Sequence, residues 1–300
     1  MNEARVNNRL SINDVENLYD MFPFPGRVVK VIDSKRDFRK KILIWLSKNT
    51  LFGKSNIKRI RSIYNSVKEN PKIILDAACG TGELACLLAL AFPDSRVIAF
   101  DLSRTNLGYA EKLKKILSLE NLEFLKFDLM CDKDLPFHNV ELAVCSGAIH
   151  HLSNPSKGIK KIGESLSETG MFTFGVYGQA FYKEKIISSC LRNLFPQKTM
   201  DEQLRILRSL NITRQGIIKE IKKEKILRKI LSTVIRGDFS YIGYLLFPHY
   251  EPSIQMDGFF HPIVKYYNPD SIYEDVEAAD MELVRFNNIE FPPEWEKMDE

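Results

Sequence analysis

One glycine loop constrains this sequence more than any other feature. It follows the apolar run Ile73–Leu75 and Asp76, contains Gly80 and Gly82, and precedes an Ala/Leu-rich stretch that starts at Glu83. The apolar run predicts a strand and the later stretch a helix, with the glycines turning the chain between them. Glycine lets backbone N–H groups approach a ligand closely, next to a helix N-terminus. The loop therefore predicts a βαβ unit with a site for a nucleotide-like ligand.

Strand and helix patterns alternate after this loop. The predicted strands are 73–75, 96–100, 122–127, 140–145 and 171–177, and the predicted helices are 83–92, 103–118 and 155–166. Ser103 is the expected N-cap of the second helix, and a turn over 168–170 is expected before the fifth strand. This order predicts parallel βαβ units in a doubly wound, mainly parallel α/β sheet with helices on both faces.

The alternation divides the chain into four sections. An N-terminal helical extension (1–70) contains a turn-rich patch over 19–27 and a helical pattern over 38–67, and it precedes the core (71–178). The basic, helix-rich section 179–268 follows the fifth strand and faces the C-terminal edge of the sheet, so we interpret it as a lid. The last section (269–300) predicts a helix over 269–279 and a strand over 281–288. Pro292 and Pro293 make a seventh strand doubtful.

Composition excludes several classes of protein. The 300 residues carry a net charge of only +4, the N-terminus has no apolar targeting run, and charges interrupt the apolar stretch 230–247. We therefore expect a cytoplasmic protein without a transmembrane helix. The five cysteines show no CxxC or Cys/His spacing, so we expect no metal site. Composition says nothing about the oligomeric state.

The residues around the loop also indicate which cofactor it binds. Gly80–Ala85 matches G-x-G-x-x-G/A, and Asp101 lies nineteen positions after Gly82, where an acid would bind ribose hydroxyls. NAD and S-adenosylmethionine sites share this pattern. Asp76, at the end of the first strand, would repel a pyrophosphate but attract the ammonium of a methionine moiety. We therefore expect S-adenosylmethionine.

At these residues the sequence resembles the class I S-adenosylmethionine-dependent methyltransferases, whose loop reads D-x-G/A-x-G-x-G. Here the loop is Asp76-Ala77-Ala78-Cys79-Gly80-Thr81-Gly82, with Ala78 where many members have glycine. The stretches 100–103, 126–129 and 142–152 are similar to the family's ribose-binding strand end, third-strand acid, and fourth strand with its turn. The resemblance covers about 73–177 and implies a Rossmann-like sheet and methyl transfer.

A further resemblance lies outside the core. The patch 19–27 is similar to the Y-x-x-(Y/F)-P-(Y/F)-P-x-R segment of a bacterial subgroup of this family. That subgroup also has a strand resembling 174–177 and a later motif like Phe259-Phe260-His261-Pro262.

The resemblance implies a set of cofactor-binding residues. Asp76 would bind the methionine ammonium and Asp101 the ribose, while Asp128 would bind the adenine amino group, with Leu102 and Leu129 on either side of the base. The full set is Asp76, Ala78, Gly80, Thr81, Gly82, Asp101, Leu102, Asp128, Leu129 and Ser146.

Candidates for catalysis and substrate binding are less specific. His150 and His151 follow the fourth strand and could act as a general base, because imidazole titrates near neutral pH. A structural or cofactor-packing role is the alternative, since a His-His pair is common here in family members with unlike substrates. Arg27 and His261 could bind an anionic substrate. The candidate substrate contacts are Tyr19, Arg27, Tyr177 and His261.

The favoured function is methyl transfer to a small-molecule acceptor, because a lid makes an enclosed pocket. The N-P-P-(Y/F) signature of amino-directed methyltransferases is absent after the fourth strand, where residues 146–149 read Ser-Gly-Ala-Ile. Methylation of tRNA or protein through the basic lid remains an alternative. An NAD-dependent oxidoreductase and a non-catalytic S-adenosylmethionine-binding protein are the alternatives from other classes.

Overall fold

The structure is a computed structural model that describes residues 12–24, 70–178 and 261–284, with Asp257 and five other single positions. Arg27, the predicted helix over 38–67 and most of the section 179–268 lie outside the described residues. The core that carries the glycine loop is described without interruption.

The described elements follow the order of the sequence. They are α1 (Ile12–Met21), β1 (Ile73–Ala77), α2 (Glu83–Ala91), β2 (Arg96–Asp101), α3 (Arg104–Leu117), β3 (Leu122–Lys126), β4 (Val140–Ser146), α4 (Pro155–Gly163), β5 (Leu166–Gly175) and α5 (Pro269–Glu277). A 3₁₀ turn, Ile149–His151, follows β4. No helix in this part of the chain is long and apolar enough to cross a bilayer.

The five strands form one parallel sheet in the order β3-β2-β1-β4-β5. The strand order reverses between β1 and β4, so the connections leave on opposite sides of the sheet there. A crevice opens at such a switch point, outside the carboxyl ends of the strands. The predicted doubly wound sheet is confirmed, and it places the glycine loop after β1 at this crevice.

Residues of the strands alternate between two hydrophobic cores. Ile74 of β1 packs in one core with α2 and α3. Leu75 and Ala77 pack in the other core with Ile159 and Ile162 of α4. Each face of the sheet is therefore covered by helices, as the apolar strand runs predict.

Side-chain caps define where the helices begin. Ser103 Oγ accepts the Asn106 N–H at 3.1 Å, which confirms Ser103 as the N-cap of α3. Asn154 caps α4 in the same way. At α5, Asn268 and Ser271 form a capping box. These short polar side chains satisfy N–H groups that have no partner inside the helix.

Two local expectations were wrong. The turn between α4 and β5 lies at residues 164–165 rather than at 168–170, because β5 begins at Leu166 and includes 168–170 in a register shift opposite Val140 and Leu142. Residues 281–284 are not in a strand, and the rest of the predicted sixth strand lies outside the described residues. In the patch over 19–27, residues 19–21 belong to α1 and residues 22 and 24 are in bends, while 25–27 lie outside the described residues.

The segment before α5 lies along the end of β5. The Tyr267 N–H donates to the Tyr177 carbonyl at 2.9 Å, and Gly178 and Tyr267 form a parallel bridge. The Lys265 N–H donates to the His150 carbonyl at 2.7 Å. This segment therefore covers the β5 side of the sheet at the edge where the site lies.

Candidate functional site

The predicted cofactor residues lie along one edge of the sheet. Parallel pairing places Asp76 beside Ala99 and Val144, near the C-terminal ends of β1, β2 and β4. Asp101 ends β2 and Ser146 ends β4. Asp76 and Asp101 are buried, so the edge carries two carboxylates with little access to water.

The glycine loop turns through left-handed backbone conformations. Ala78, Gly80 and Gly82 have φ of 56°, 57° and 79°. A Cβ at Gly82 would lie 2.6 Å from the Ala110 Cβ on α3. Glycine is therefore required at position 82 for packing between loop and helix, in addition to any contact with a cofactor.

The loop amides bind the protein rather than facing outward. The N–H groups of residues 79–82 donate, in order, to the carbonyl of Phe100 (2.9 Å), Asp101 Oδ2 (2.8 Å), and the carbonyls of Phe24 (2.9 Å) and Cys79 (3.1 Å). Our expectation that these amides face the ligand was wrong. A dinucleotide pyrophosphate needs such N–H groups. The loop and its buried carboxylates suit a cofactor with a cationic end better.

Asp101 connects the loop to the start of α3. Its Oδ1 accepts the Ser103 N–H at 2.9 Å and the Asn106 side-chain amide at 3.2 Å. Burial raises the pKa of Asp101, and its three hydrogen bonds oppose that rise. A carboxylate offers about four acceptor positions. Asp101 thus keeps capacity for a ribose hydroxyl.

The predicted adenine-binding residues lie after β2 and β3. Asp128 is half-buried, and its Oδ1 accepts the Met130 N–H at 2.8 Å. Leu102 is half-buried as well. Leu129, by contrast, packs in the core beneath α4.

Six side chains form a second group, next to the ends of β4 and β5. We call it the His/Tyr cluster: Tyr19, His150, His151, Tyr177, Asp257 and His261. All but Asp257 were predicted as catalytic or substrate residues. Arg27, the remaining candidate, lies outside the described residues.

Asp257 was missed because one acid in an unassigned aromatic passage gives no spacing to recognise. Its Oδ1 accepts the Tyr19 hydroxyl at 2.7 Å, and its Oδ2 accepts the Tyr177 hydroxyl at 2.5 Å. His151 Nε2 lies 3.5 Å from Oδ1, an ion-pair distance rather than a full hydrogen bond. Burial raises the pKa of Asp257, but His151, His261 and Tyr177 outweigh that effect and hold it well below its usual range.

Backbone contacts fix the protonation of two histidines. His151 Nδ1 lies 2.9 Å from the Ile263 carbonyl, so this nitrogen carries a proton. The Ile263 N–H donates to His261 Nδ1 at 3.1 Å, so that nitrogen is unprotonated. The two rings stack with centroids 3.5 Å apart. His151 therefore faces Asp257 with Nε2.

His150 differs from both of these histidines. Its ring is fully buried, with the centroids of His151 and Tyr177 each 4.0 Å away. No residue of the described chain gives a hydrogen bond to either ring nitrogen. Burial, followed by the neighbouring His151, lowers the pKa of His150 well below its usual value. The cluster therefore contains a neutral imidazole whose donor and acceptor are both unused.

No group of three or more His, Cys, Asp or Glu side chains within the described ranges is arranged to hold a metal ion.

Comparisons with known proteins agree with the chemistry of the loop. A family model described as a methyltransferase domain matches residues 74–170. A malonyl-[acyl-carrier protein] O-methyltransferase of Halalkalibacterium halodurans is 29% identical over 119 residues, which is 39% of this chain and 43% of the relative. The enzyme of the same name from Anoxybacillus flavithermus is 26% identical over 155 residues, 52% of this chain and 57% of the relative.

Among solved structures, PKMT2 from Rickettsia typhi matches with a TM-score of 0.49 and 17% identity, over 69% of this chain and 38% of that one. The chain spans about half the length of the two curated relatives described above. Over residues 74–170 the chain therefore contains a methyltransferase domain.

Proposed function

We propose that this protein transfers a methyl group from S-adenosylmethionine to a small-molecule acceptor that binds at the His/Tyr cluster. The observation that carries the proposal is the fully buried His150, whose two ring nitrogens have no partner among the described residues. Buried polar groups are nearly always hydrogen-bonded, and each unpaired one costs about 1–3 kcal/mol. A bound acceptor supplies the missing partner.

The residues at the sheet edge each bind a different part of the cofactor. Asp76 binds the methionine ammonium, and Asp101 binds the ribose hydroxyls with its remaining acceptor capacity. Asp128 binds the adenine amino group, next to Leu102 and Leu129. When bound, S-adenosylmethionine supplies an electrophilic methyl group on a sulfonium. The chain has to align an acceptor with that group and to exclude water.

His150 is the stronger candidate for the general base. Its lowered pKa keeps the imidazole neutral at pH 7, so an unprotonated nitrogen can accept a proton from an acceptor O–H. His151 is a poorer candidate because Nδ1 already donates to Ile263 and Nε2 faces Asp257. We assign His151 to the support of the cluster.

The names of the relatives favour a second candidate acceptor. Both curated relatives described above are named malonyl-[acyl-carrier protein] O-methyltransferases. This second candidate is a carboxyl on an acyl chain bound to a carrier protein, and its methyl label would be found on that protein rather than in a free small molecule. A carboxylate is already ionised at pH 7, so it needs no general base. Loss of His150 would therefore spare this acceptor but not an alcohol or phenol.

Purified protein incubated with methyl-labelled S-adenosylmethionine and fractionated metabolites tests the proposal. We expect label in a low-molecular-mass product and none with Asp101→Ala, which should not bind cofactor. Label in tRNA or protein, with binding that weakens steeply with salt, would support the alternative acceptors. Binding of S-adenosylhomocysteine without any product would indicate a non-catalytic protein. Binding of NAD but not of S-adenosylhomocysteine would overturn the proposal.

A further inference from the structure

The helix α1 contacts both parts of the site through two adjacent residues. Tyr19 donates its hydroxyl to Asp257 in the His/Tyr cluster at 2.7 Å. Asp20 Oδ1 accepts the Ser103 hydroxyl at 2.5 Å and the Thr105 N–H at 3.2 Å. Ser103 is also bound to Asp101 through its backbone. One turn of α1 therefore joins the cluster to the acid that anchors the glycine loop.

The chain after α1 continues onto the glycine loop. The Phe24 N–H donates to Asn106 Oδ1 at 3.0 Å, and its carbonyl accepts the Thr81 N–H at 2.9 Å. Asn106 in turn donates to Asp101 at 3.2 Å. Residues 12–24 thus share a hydrogen-bond network with the predicted cofactor site.

Polar contacts rather than apolar burial hold α1 in place. Among residues 14–21, whose side chains the structure describes, only Leu18 is fully buried. A helix of ten residues is marginal without tertiary contacts. Hydrogen bonds to a buried charge are the strong kind, and Asp257 accepts one from α1 and one from the end of β5. Asp257 therefore holds α1 to the end of β5 through a buried, charged acceptor.

We propose that Asp257 is a positioning residue for methyl transfer. It holds α1 against Tyr177 and His151, and the same helix is hydrogen-bonded to the network around the glycine loop. The arrangement of the His/Tyr cluster and the binding of cofactor at the loop are therefore coupled. The proposal rests on the proposed function, because it assigns the cluster to the acceptor. Removing the carboxylate loosens α1 because Tyr19 and Tyr177 lose the acceptor that they share. Because α1 and the loop share one network, cofactor binding stabilises the docked helix, and docking strengthens cofactor binding by the same factor.

Amide hydrogen exchange of the full chain tests this coupling. In the wild type, we expect S-adenosylhomocysteine to slow exchange across residues 12–24. In Asp257→Asn, exchange there should rise about tenfold or more while β1 and β4 stay protected. The same variant should bind S-adenosylhomocysteine several-fold more weakly. Tyr19→Phe removes one hydrogen bond and should show a smaller effect in the same direction.

Glu16→Gln is the matched control on the same helix. Glu16 pairs with Lys126 where both side chains are partly exposed, and such pairs contribute little. We expect exchange of residues 12–24 to change by less than about twofold. Unchanged exchange in a folded Asp257→Asn protein would overturn the proposal. Protection by S-adenosylhomocysteine that is confined to the glycine loop would also overturn it.

Kinetics separate this proposal from the proposed function. Exchange needs no acceptor, so loosened α1 in Asp257→Asn supports the coupling even if no methyl product is ever found. Where an acceptor is known, the positioning role predicts a higher KM for the acceptor in Asp257→Asn with a smaller change in kcat. An unchanged KM for the acceptor would leave Asp257 with a structural role only and sink the proposal.

Discussion

Asp101 Oδ2 accepts a hydrogen bond from the Gly80 amide at 2.8 Å. The same carboxylate binds the first residues of α3, so it holds the loop and the helix at a set distance from each other. The acid that the sequence suggests for the ribose therefore also shapes the loop. Its two roles predict that cofactor affinity and stability change together when it is altered.

Asp101→Asn should weaken both cofactor binding and the stability of the fold. An asparagine oxygen can replace one acceptor, but its amide would face an N–H donor, so about 1–3 kcal/mol of unfolding free energy should be lost. Affinity for S-adenosylhomocysteine should fall at least about tenfold. Urea unfolding and calorimetry measure the two effects. Asp128→Asn is the control, and it should weaken binding with little loss of stability. Full stability of Asp101→Asn would contradict the loop-shaping role.

Gly82→Ala should destabilise the protein by about 2–4 kcal/mol, because alanine at this φ is strained and its Cβ would collide with Ala110. Gly147→Ala is a matched control. Gly147 has a similar φ of 81°, but nothing lies within 4 Å of its Cβ position. Gly147→Ala should therefore lower the free energy of unfolding by only about 1–2 kcal/mol. Urea denaturation compares the variants, and equal losses would refute the packing role of Gly82.

His150→Phe should separate activity from stability. Phenylalanine keeps an aromatic ring between His151 and Tyr177 and removes two buried nitrogens without partners among the described residues. We expect unchanged or higher stability at pH 7 and a loss of about 100-fold or more in transfer to a hydroxyl acceptor. Thermal unfolding and single-turnover assays measure these effects. Full activity towards a hydroxyl acceptor would remove His150 from the chemistry.

The pH dependence of stability should change in the same variant. The folded-state pKa of His150 lies well below 6.5, whereas the unfolded chain keeps about 6.5. Below pH 6.5 the unfolded chain binds a proton that the folded protein does not, so stability falls as the pH drops. Between pH 7.0 and 5.5 this group should cost about 1 kcal/mol. Urea unfolding at both values should show that loss in the wild type and not in His150→Phe.

Asp275→Ala should reduce stability without affecting cofactor binding. Asp275 on α5 accepts hydrogen bonds of 2.6 Å from Ser156, Lys265 and Tyr267, so it ties α4 to the segment beside β5. Burial raises its pKa, but these three donors prevail and lower it. We expect a loss of about 2–4 kcal/mol in urea. The exposed Glu274→Gln should be neutral. Weaker binding of S-adenosylhomocysteine in Asp275→Ala would show that α5 also supports the loop.

The sheet could be predicted from sequence because its signals are local. Apolar runs such as Ile73–Leu75 and caps such as Ser103 each act within a few residues. The turn expected over 168–170 failed because polar residues also fit a bulged strand, and only pairing with β4 decides between the two. Parallel order then brings Asp76, Asp101 and Ser146 to one edge without further information.

The His/Tyr cluster could be predicted only in part. His150 and His151 follow a strand of the sheet, so their position comes from the fold. Asp257 and His261 lie far from β4 in the sequence, and no periodicity indicates which residues of the core they contact. The hydrogen-bond partners of the loop amides could not be predicted either, because no pattern in the sequence indicates that the Phe24 carbonyl accepts the Thr81 N–H.

The hydrogen bond between Tyr19 and Asp257 joins residues 238 positions apart. At a synthesis rate of about 5–20 residues per second, a ribosome needs roughly 10–50 s to travel from one to the other. The strands from β1 to β5 emerge well within that interval and can pair while Tyr19 still has no acceptor. In a nascent chain the sheet with its glycine loop can therefore form first, and the His/Tyr cluster is completed only when Asp257 has been made.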